Sequence, residues 1–318
     1  MTARDAFLSA RTPAIGADKS VTNDHLDWLE DEAMSILREV LGGFERPAIL
    51  CSFGKDSLVV LHLAMKAAAP GKLPLPIVHI DTGHNFPEVI TFREQLVKKH
   101  DLNLIVGQLD DSIKKGTIRL AHELESRNPY QTITLLETIE ANRFDAMVGG
   151  ARRDEEKARA KERVFSHRDS FGQWQPRAQR PELWNLYNTR IAQGENFRVF
   201  PISNWTELDV WNYIAREAIE LPSIYYTHRR EVIERNGLLV PVTGITPPRS
   251  GEIVVTKEVR FRTVGDISCT CPVASTATNA DEVILETIGA TASERGATRM
   301  DDRAHDAAME RRKKEGYF

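Results

Sequence analysis

A doubly wound α/β fold, with a mostly parallel sheet, flanking helices and an irregular C-terminal extension, is what this chain's apolar runs predict. Strand-like runs at Pro47–Cys51, Pro76–Ile80, Leu102–Val106, Asp145–Val148 and Arg198–Ile202 alternate with helical patterns at short spacing. Breakers stand where the period changes: Gly42-Gly43, Pro70-Gly71, Asp81-Thr82-Gly83 and Gly149-Gly150. From Leu221 onward Pro, Gly and Thr become frequent. Three spans follow: an arm over 1–21, an α/β domain over 22–220, and an extension with a charged tail over 221–318.

The chain's 318 residues are enough to bury a sizeable core, and 41% hydrophobic with 28% charged residues is a globular balance. The net charge of -4 gives no basic field for nucleic acid, and no apolar run approaches the length of a membrane helix. The three cysteines, Cys51, Cys269 and Cys271, form no C-x-x-C pair, and Met1–Ser20 has no signal pattern. The reading is a reduced, cytoplasmic protein.

Thr22 or Asn23 is placed to cap the first helix, in which Leu26, Leu29, Ala33, Ile36 and Val40 share one face. A second helix runs from the 52–57 loop to about Ala68, and a third from Pro87, with proline in its first turn, to Lys99. Residues 107–128 are polar and mixed, and read as a surface excursion. Ile133–Ala141 reads as a helix. The run 151–163 carries six basic and four acidic residues, the composition of a solvated helix with i,i+4 ion pairs. Residues 164–197 lack a period and read as a long loop or lid. Thr206 caps a helix whose Leu208, Val210, Trp211 and Ile214 are packing residues, and Asp281–Ile288 forms the last helix. Ser293–Phe318 reads as a solvated tail.

The functional signal sits at the first strand–helix junction, Ser52-Phe53-Gly54-Lys55-Asp56-Ser57. Backbone N–H groups at a helix N-terminus are unpaired and attract anions. Two serine hydroxyls and the Lys55 charge make phosphate the natural occupant. The spacing is not that of a Walker loop: the upstream glycine is missing, and Asp56 stands where Ser or Thr belongs. In a doubly wound sheet, ligands sit off the carboxyl ends of the strands. Asp81-Thr82-Gly83 and Arg152-Arg153 also follow strand ends, so all three segments are expected to face one site. Arginine there suits a planar, bidentate grip on phosphate or sulfate.

Several segments together resemble one family. S-F-G-K-D-S is similar to the motif of ATP pyrophosphatases, usually S-G-G-x-D-S, which bind ATP and cleave between its α- and β-phosphates. H-I-D-T-G-H-N-F-P-E (79–88) and V-F-P-I-x-x-W-T-x-x-D-V-W-x-Y-I (199–214) resemble the branch that handles adenylyl sulfates. G-A-R-R-D-E-E-K-A-R-A-K-E-R and the closing M-E-R-R-K-K-E-G-Y-F resemble the small catalytic subunits of bacterial ATP sulfurylases, from about His25 to Phe318. Phe53 replaces the usual glycine, as is common in such subunits, and Cys269–Pro272 follows the pattern only loosely.

The resemblance implies an adenine nucleotide α-hydrolase-like fold. It implies that ATP and sulfate give adenylyl sulfate and pyrophosphate, with a GTP-binding partner subunit coupling GTP hydrolysis to the reaction. Ser52, Phe53, Gly54, Lys55 and Ser57 are then expected to hold pyrophosphate, with Asp81, Thr82 and Gly83 bordering adenosine. Lys55, Asp56, Arg152 and Arg153 are the candidate catalytic residues. Asp56 reads either as a ligand to a magnesium ion on the phosphates or as an acid favoured at a helix start. Two rival readings are an adenylyl-sulfate reductase and a non-catalytic nucleotide-binding subunit. The reductases use a cysteine in E-C-G-[IL]-H, a motif this chain lacks.

Overall fold

The computed structural model describes residues 19–155, 159–179, 181–290 and 298, with side chains from residue 23 onward. Helix α1, Lys19–Gly43, begins before the expected cap at Thr22 or Asn23. Its stripe is as read: Leu26, Leu29, Ala33, Ile36 and Val40 are all buried. Strand β1, Pro47–Leu50, leads through the 51–54 loop into α2, Lys55–Ala68. There follow β2, Ile77–Asp81, α3, Pro87–His100, and β3, Leu104–Gln108. The 107–128 excursion contains a short helix, α4, Leu109–Lys115, whose seven residues are too few to show a helical period. Next come α5, Gln131–Asn142, and β4, Ala146–Val148.

Residues 164–197 are not only a loop. They begin with β5, Phe165–Arg168, which pairs antiparallel with β6, Asn196–Val199. Both strands are buried on both faces and alternate Phe or Val with Ser, Arg and Asn, so no apolar run marks them. The described parts of the 151–163 run form turns and one 3-10 turn at Arg159–Lys161, in place of the expected helix. Helix α6, Glu207–Glu217, starts as expected at Thr206. The Thr206 hydroxyl accepts the Asp209 N–H while the Asp209 carboxylate accepts the Thr206 N–H, a reciprocal cap.

The first sheet has the order β3-β2-β1-β4-β6-β5, parallel except for β5. The chain runs outward from β1 to β3, then returns to the other side of β1 at β4. The strand order therefore reverses between β1 and β4, which places the switch-point crevice at their carboxyl ends. Those ends carry the 51–57 loop and the 149–153 loop. Alternation along β1 sends Ile49 into the large core with α1, α2 and α6, and Ala48 into a smaller core with Leu135, Ile139 and Met147.

The region from residue 221 onward is more regular than its composition indicates. Strands β7, His228–Arg235, β8, Leu238–Pro241, β9, Val255–Arg260, and β10, Val273–Ala274, form an antiparallel sheet in the order β10-β9-β7-β8. Antiparallel sheets tolerate one wet face, so β7 and β9 carry many exposed Arg, Lys and Glu. Asn236 and Gly237 join β7 to β8 with φ of 53° and 72°, the left-handed pair that a tight hairpin requires. Helix α7, Ala280–Ile288, matches the expected last helix and packs on α6. The reading of Ser293–Phe318 as a solvated tail lies outside the described residues, apart from Thr298, which is buried.

This second unit is joined to the first through ions as well as apolar packing. Arg262 Nη2 donates to Glu207 Oε2 at 2.7 Å, and both side chains are about nine-tenths buried. Removing one member of a buried pair leaves an uncompensated charge, at a cost of about 3–5 kcal/mol. Arg262→Met is therefore expected to lower the unfolding free energy by about that amount in urea denaturation, with much of the loss recovered when Glu207→Leu is added. A loss below about 0.5 kcal/mol would show that the pair carries no such charge burden.

Candidate active site

The 51–57 loop is shaped by groups behind it. Phe53 has φ of 57°, the left-handed region that disfavours a side chain, which is why glycine is usual at this position. The phenyl ring offsets that strain by packing fully buried, 5.5 Å from the imidazole of His79. His79 Nδ1 lies 2.9 Å from the Cys51 carbonyl and Nε2 lies 3.1 Å from Asn85 Nδ2. The carbonyl accepts only, so Nδ1 carries the proton and Nε2 accepts from Asn85. Burial, aided by the Arg93 charge, pushes the His79 pKa down to about 4 against the partial lift of its carbonyl bond, so the ring is neutral.

The 149–150 loop closes on the same helix start. A Cβ on Gly150 would lie 2.9 Å from the Asp56 carbonyl carbon and the Ser57 nitrogen, so only glycine allows β4 to end this near α2. That approach brings Arg152 to Asp56: Arg152 Nε donates to Asp56 Oδ1 at 2.6 Å, and Lys55 Nζ donates to Asp56 Oδ2 at 2.9 Å. The Lys55 and Arg152 side chains are fully buried, whereas Asp56 is 23% exposed. Burial raises the pKa of Asp56, but the Lys55 and Arg152 charges outweigh it and hold the carboxyl well below the usual carboxylate range. Asp56 is therefore ionised at working pH. It stands in the first turn of α2 and there fixes two cations.

Beside this triad lies a cavity of about 190 Å³. Leu50, Ile80 and Leu135 give it an apolar side; Ser52, Gly54, Asp56 and Ser57 give it an anion-binding end; Asn128, Gln131, Glu155 and Arg159 are polar lining. The second unit contributes Tyr225, Thr263, Val264 and Gly265 to the lining. Ser52 is exposed, with its hydroxyl 3.4 Å from that of Ser57. The Ser57 hydroxyl donates to the Gly54 carbonyl at 2.9 Å and so braces the loop.

Of the expected residues, Ser52, Gly54, Asp56 and Ser57 line this cavity, while Phe53, Lys55 and Arg152 are fully buried behind that lining, and two further groups are turned elsewhere. The Arg153 guanidinium turns away to Asn204 and to the Glu162 carbonyl, and the Arg153 backbone N–H donates to the Ser203 carbonyl at 2.9 Å. The chain enters a turn at Arg153, so one arginine reaches Asp56 and its neighbour pins the loop. Asp81, Thr82 and Gly83 stand beside the cavity, and from β2 it is Ile80 that lines it. Asp81 pairs with Arg93 at 3.2 Å and accepts the Gly83 N–H at 2.9 Å; the Thr82 carbonyl accepts from Arg127 at 2.7 Å.

Sequence reasoning passed over Tyr225, Gln131, Asn128 and the 263–265 wall. None sits in a strand–turn–helix signal; of the polar lining, Glu155 and Arg159 lie within the charged run that follows Arg152 and Arg153. Chemically, a helix N-terminus with a lysine and an arginine pre-oriented by one carboxylate is an anion cradle, and the apolar side offers a surface for a planar ring. No group of three or more His, Cys, Asp or Glu side chains able to hold a metal occurs among the described residues. All three cysteines are buried, and burial pushes the Cys51 thiol up to about 11.

Residues 46–272 match the phosphoadenosine phosphosulfate reductase domain family. The chain is 58% identical over 294 residues to the sulfate adenylyltransferase subunit 2 of Mycolicibacterium vanbaalenii, covering 92% of this chain and 94% of that one. Its identity and coverage are the same against the sulfate adenylyltransferase subunit 2 of Mycobacterium tuberculosis. Among solved structures, the FMN adenylyltransferase of Candida glabrata in complex with ATP is similar at 14% identity and a TM-score of 0.48, covering 88% of this chain and 89% of that one. At that distance nothing about ligand or activity transfers.

His79 gives the loop a pH dependence whose sign is fixed. Its folded pKa of about 4 lies below the ordinary 6.5, so on acidification the unfolded chain takes up the proton first. This stabilisation is full above pH 6.5 and is lost between 6.5 and about 4, amounting to about 3 kcal/mol. His79→Gln, compared with wild type in urea unfolding from pH 7.5 to 4.5, is expected to lose stability less steeply on acidification. Parallel profiles would mean that His79 is not held neutral by the fold.

Proposed function

The chain belongs to the sulfate adenylyltransferase subunit 2 family, within the group that carries the phosphoadenosine phosphosulfate reductase domain, and from that premise we propose how this nucleotidyltransferase works. It is the catalytic subunit of a sulfate adenylyltransferase, converting ATP and sulfate to adenylyl sulfate and pyrophosphate. A GTP-binding partner subunit couples GTP hydrolysis to the reaction. The setting is sulfate assimilation toward cysteine in the cytoplasm; among the described residues no helix is long and apolar enough to cross a membrane. The coupling has a chemical reason: sulfate is a weak nucleophile, and the phosphosulfate anhydride it forms is high in energy.

The observation that carries this reading is the Lys55–Asp56–Arg152 triad at the N-terminus of α2, beside the switch-point cavity. Both substrates are anions, so catalysis consists of aligning them and meeting the charge that develops on the leaving pyrophosphate. Ser52, Gly54, Lys55 and Ser57 form the pyrophosphate end. Arg152, buried behind the cavity lining and held on Asp56, is the cation assigned to the α-phosphate or the incoming sulfate. Leu50, Ile80 and Leu135 offer the adenine a dry wall, and Asp81–Gly83 act by shaping the turn behind it. Arg153 serves by holding the 151–155 loop in register. Sulfate attacks already ionised, so no general base is required.

Magnesium is the cofactor this reading includes. Asp56 is a hard-oxygen donor at the cavity with part of its side chain exposed, and magnesium takes only one or two protein carboxylates beside substrate phosphates, so the site fits an ion brought by ATP. Asp56 would hold it, and the bound ion would neutralise charge on the phosphates. The cysteines support nucleotidyl transfer over thiol redox chemistry: a redox cysteine must present an accessible thiolate, and Cys51, Cys269 and Cys271 are all buried.

The test is sulfate-dependent pyrophosphate release from ATP, measured with and without the GTP-binding subunit and GTP. Activity that requires the partner is expected. Nucleotide binding without turnover in either state would make the chain a binding subunit only. Lys55→Ala in the active complex is expected to lower kcat by roughly 10²–10³-fold, the scale of losing one donor to developing charge. Unchanged turnover would remove Lys55 from the pyrophosphate end.

A further inference from the structure

Helix α2 has no side-chain cap of its own, because its cap position is Gly54. One of its first N–H groups is met from far along the chain: the Lys55 N–H donates to the Tyr225 hydroxyl at 2.8 Å, across 170 residues. Tyr225 belongs to a single 3-10 turn, Ser223–Tyr225, of the second unit, and is 1% exposed. Its place is over-determined. The Trp211 ring meets the tyrosine edge-on with centroids 5.9 Å apart, and the Phe261 N–H next to β9 donates to the adjacent Ile224 carbonyl at 2.8 Å. The approach also depends on Gly54, since a Cβ there would lie 3.2 Å from the Tyr225 hydroxyl.

We infer that Tyr225 is a positioning residue for the pyrophosphate end of the site, standing in for the missing cap of α2 and tying the anion-binding loop to the second unit. The inference rests on the pyrophosphate role proposed above. The hydroxyl fixes the direction of the Lys55 peptide. That peptide leads directly into Lys55 and Asp56, so the orientation of the triad depends on it. Without the hydroxyl, a buried N–H at the helix start loses its acceptor, and the loop relaxes to satisfy it. The aromatic body still fills its place, so packing on Trp211 is kept. A residue that belongs to neither the loop nor the charged run thereby sets how tightly the loop grips a diphosphate.

Tyr225→Phe separates this role from bulk stability. Inorganic pyrophosphate and adenosine, each titrated calorimetrically into the full chain, report the two halves of the site. The variant is expected to bind pyrophosphate about tenfold more weakly, the size of one lost hydrogen bond, with adenosine affinity unchanged. Unchanged pyrophosphate affinity, or a parallel fall for both ligands, would overturn the assignment. A wild-type chain that fails to bind pyrophosphate would overturn it too. A wild-type chain that binds pyrophosphate and loses it in Tyr225→Phe, yet makes no adenylyl sulfate, would uphold the positioning role while removing the proposed reaction.

Discussion

Taking a carboxylate largely out of water is costly unless charge meets it, and Asp56 meets two cations at 2.6 and 2.9 Å. Lys55 and Arg152 are fully buried and come from different strand ends, so each needs a counter-charge and neither could supply the other's. One carboxylate between them meets both, with Asp154 also 3.4 Å from Arg152, and sets their positions before any ligand arrives. Pre-set cations are what a reaction between two anions requires, because no reorganisation is left for the moment of reaction. The depressed pKa of Asp56 follows from the same geometry and keeps the hub charged at working pH.

Much of the surrounding structure serves to make that meeting possible. The strand order reverses beside β1, so β4 ends next to the start of α2. Gly150 lets the two backbones approach to a separation no side chain would permit. Behind the loop, Phe53 tolerates a left-handed conformation because its ring is buried against a neutral His79. Arg153 and Asp154 then hold the arginine loop in place, through the Ser203 carbonyl and through the Glu207 N–H at the start of α6. The second unit supplies part of the cavity lining and is itself fastened at α6 by the buried Arg262–Glu207 pair.

The α/β core was legible because its strands and helices carry their own periods. The stripe of α1, the Pro87 start of α3 and the Thr206 cap of α6 stand where elementary propensity puts them. The anion-binding loop was legible because its chemistry is local. The second sheet was not, since β7 spends its alternation on Arg and Glu facing water; the Asn236-Gly237 hairpin signal was there and went unread. Arg152 and Arg153 look equivalent in sequence, and only the turn that begins at Arg153 tells them apart. Tyr225 had no local signal at all, because its partner is 170 residues away. Long-range hydrogen bonds of this kind follow from topology, and a sequence pattern does not encode them.

The central claim is that Lys55 and Arg152 act through one carboxylate as a unit. A double-mutant cycle on Asp56→Asn and Arg152→Gln, read as kcat/KM for ATP in the sulfate-dependent reaction, tests it directly. Residues that work as a unit are strongly non-additive. Either single variant is expected to lose nearly as much as the double, with a coupling energy of about 1.5–3 kcal/mol. Additive losses, with coupling below about 0.5 kcal/mol, would show that the two side chains work independently and that the triad is not what organises the site.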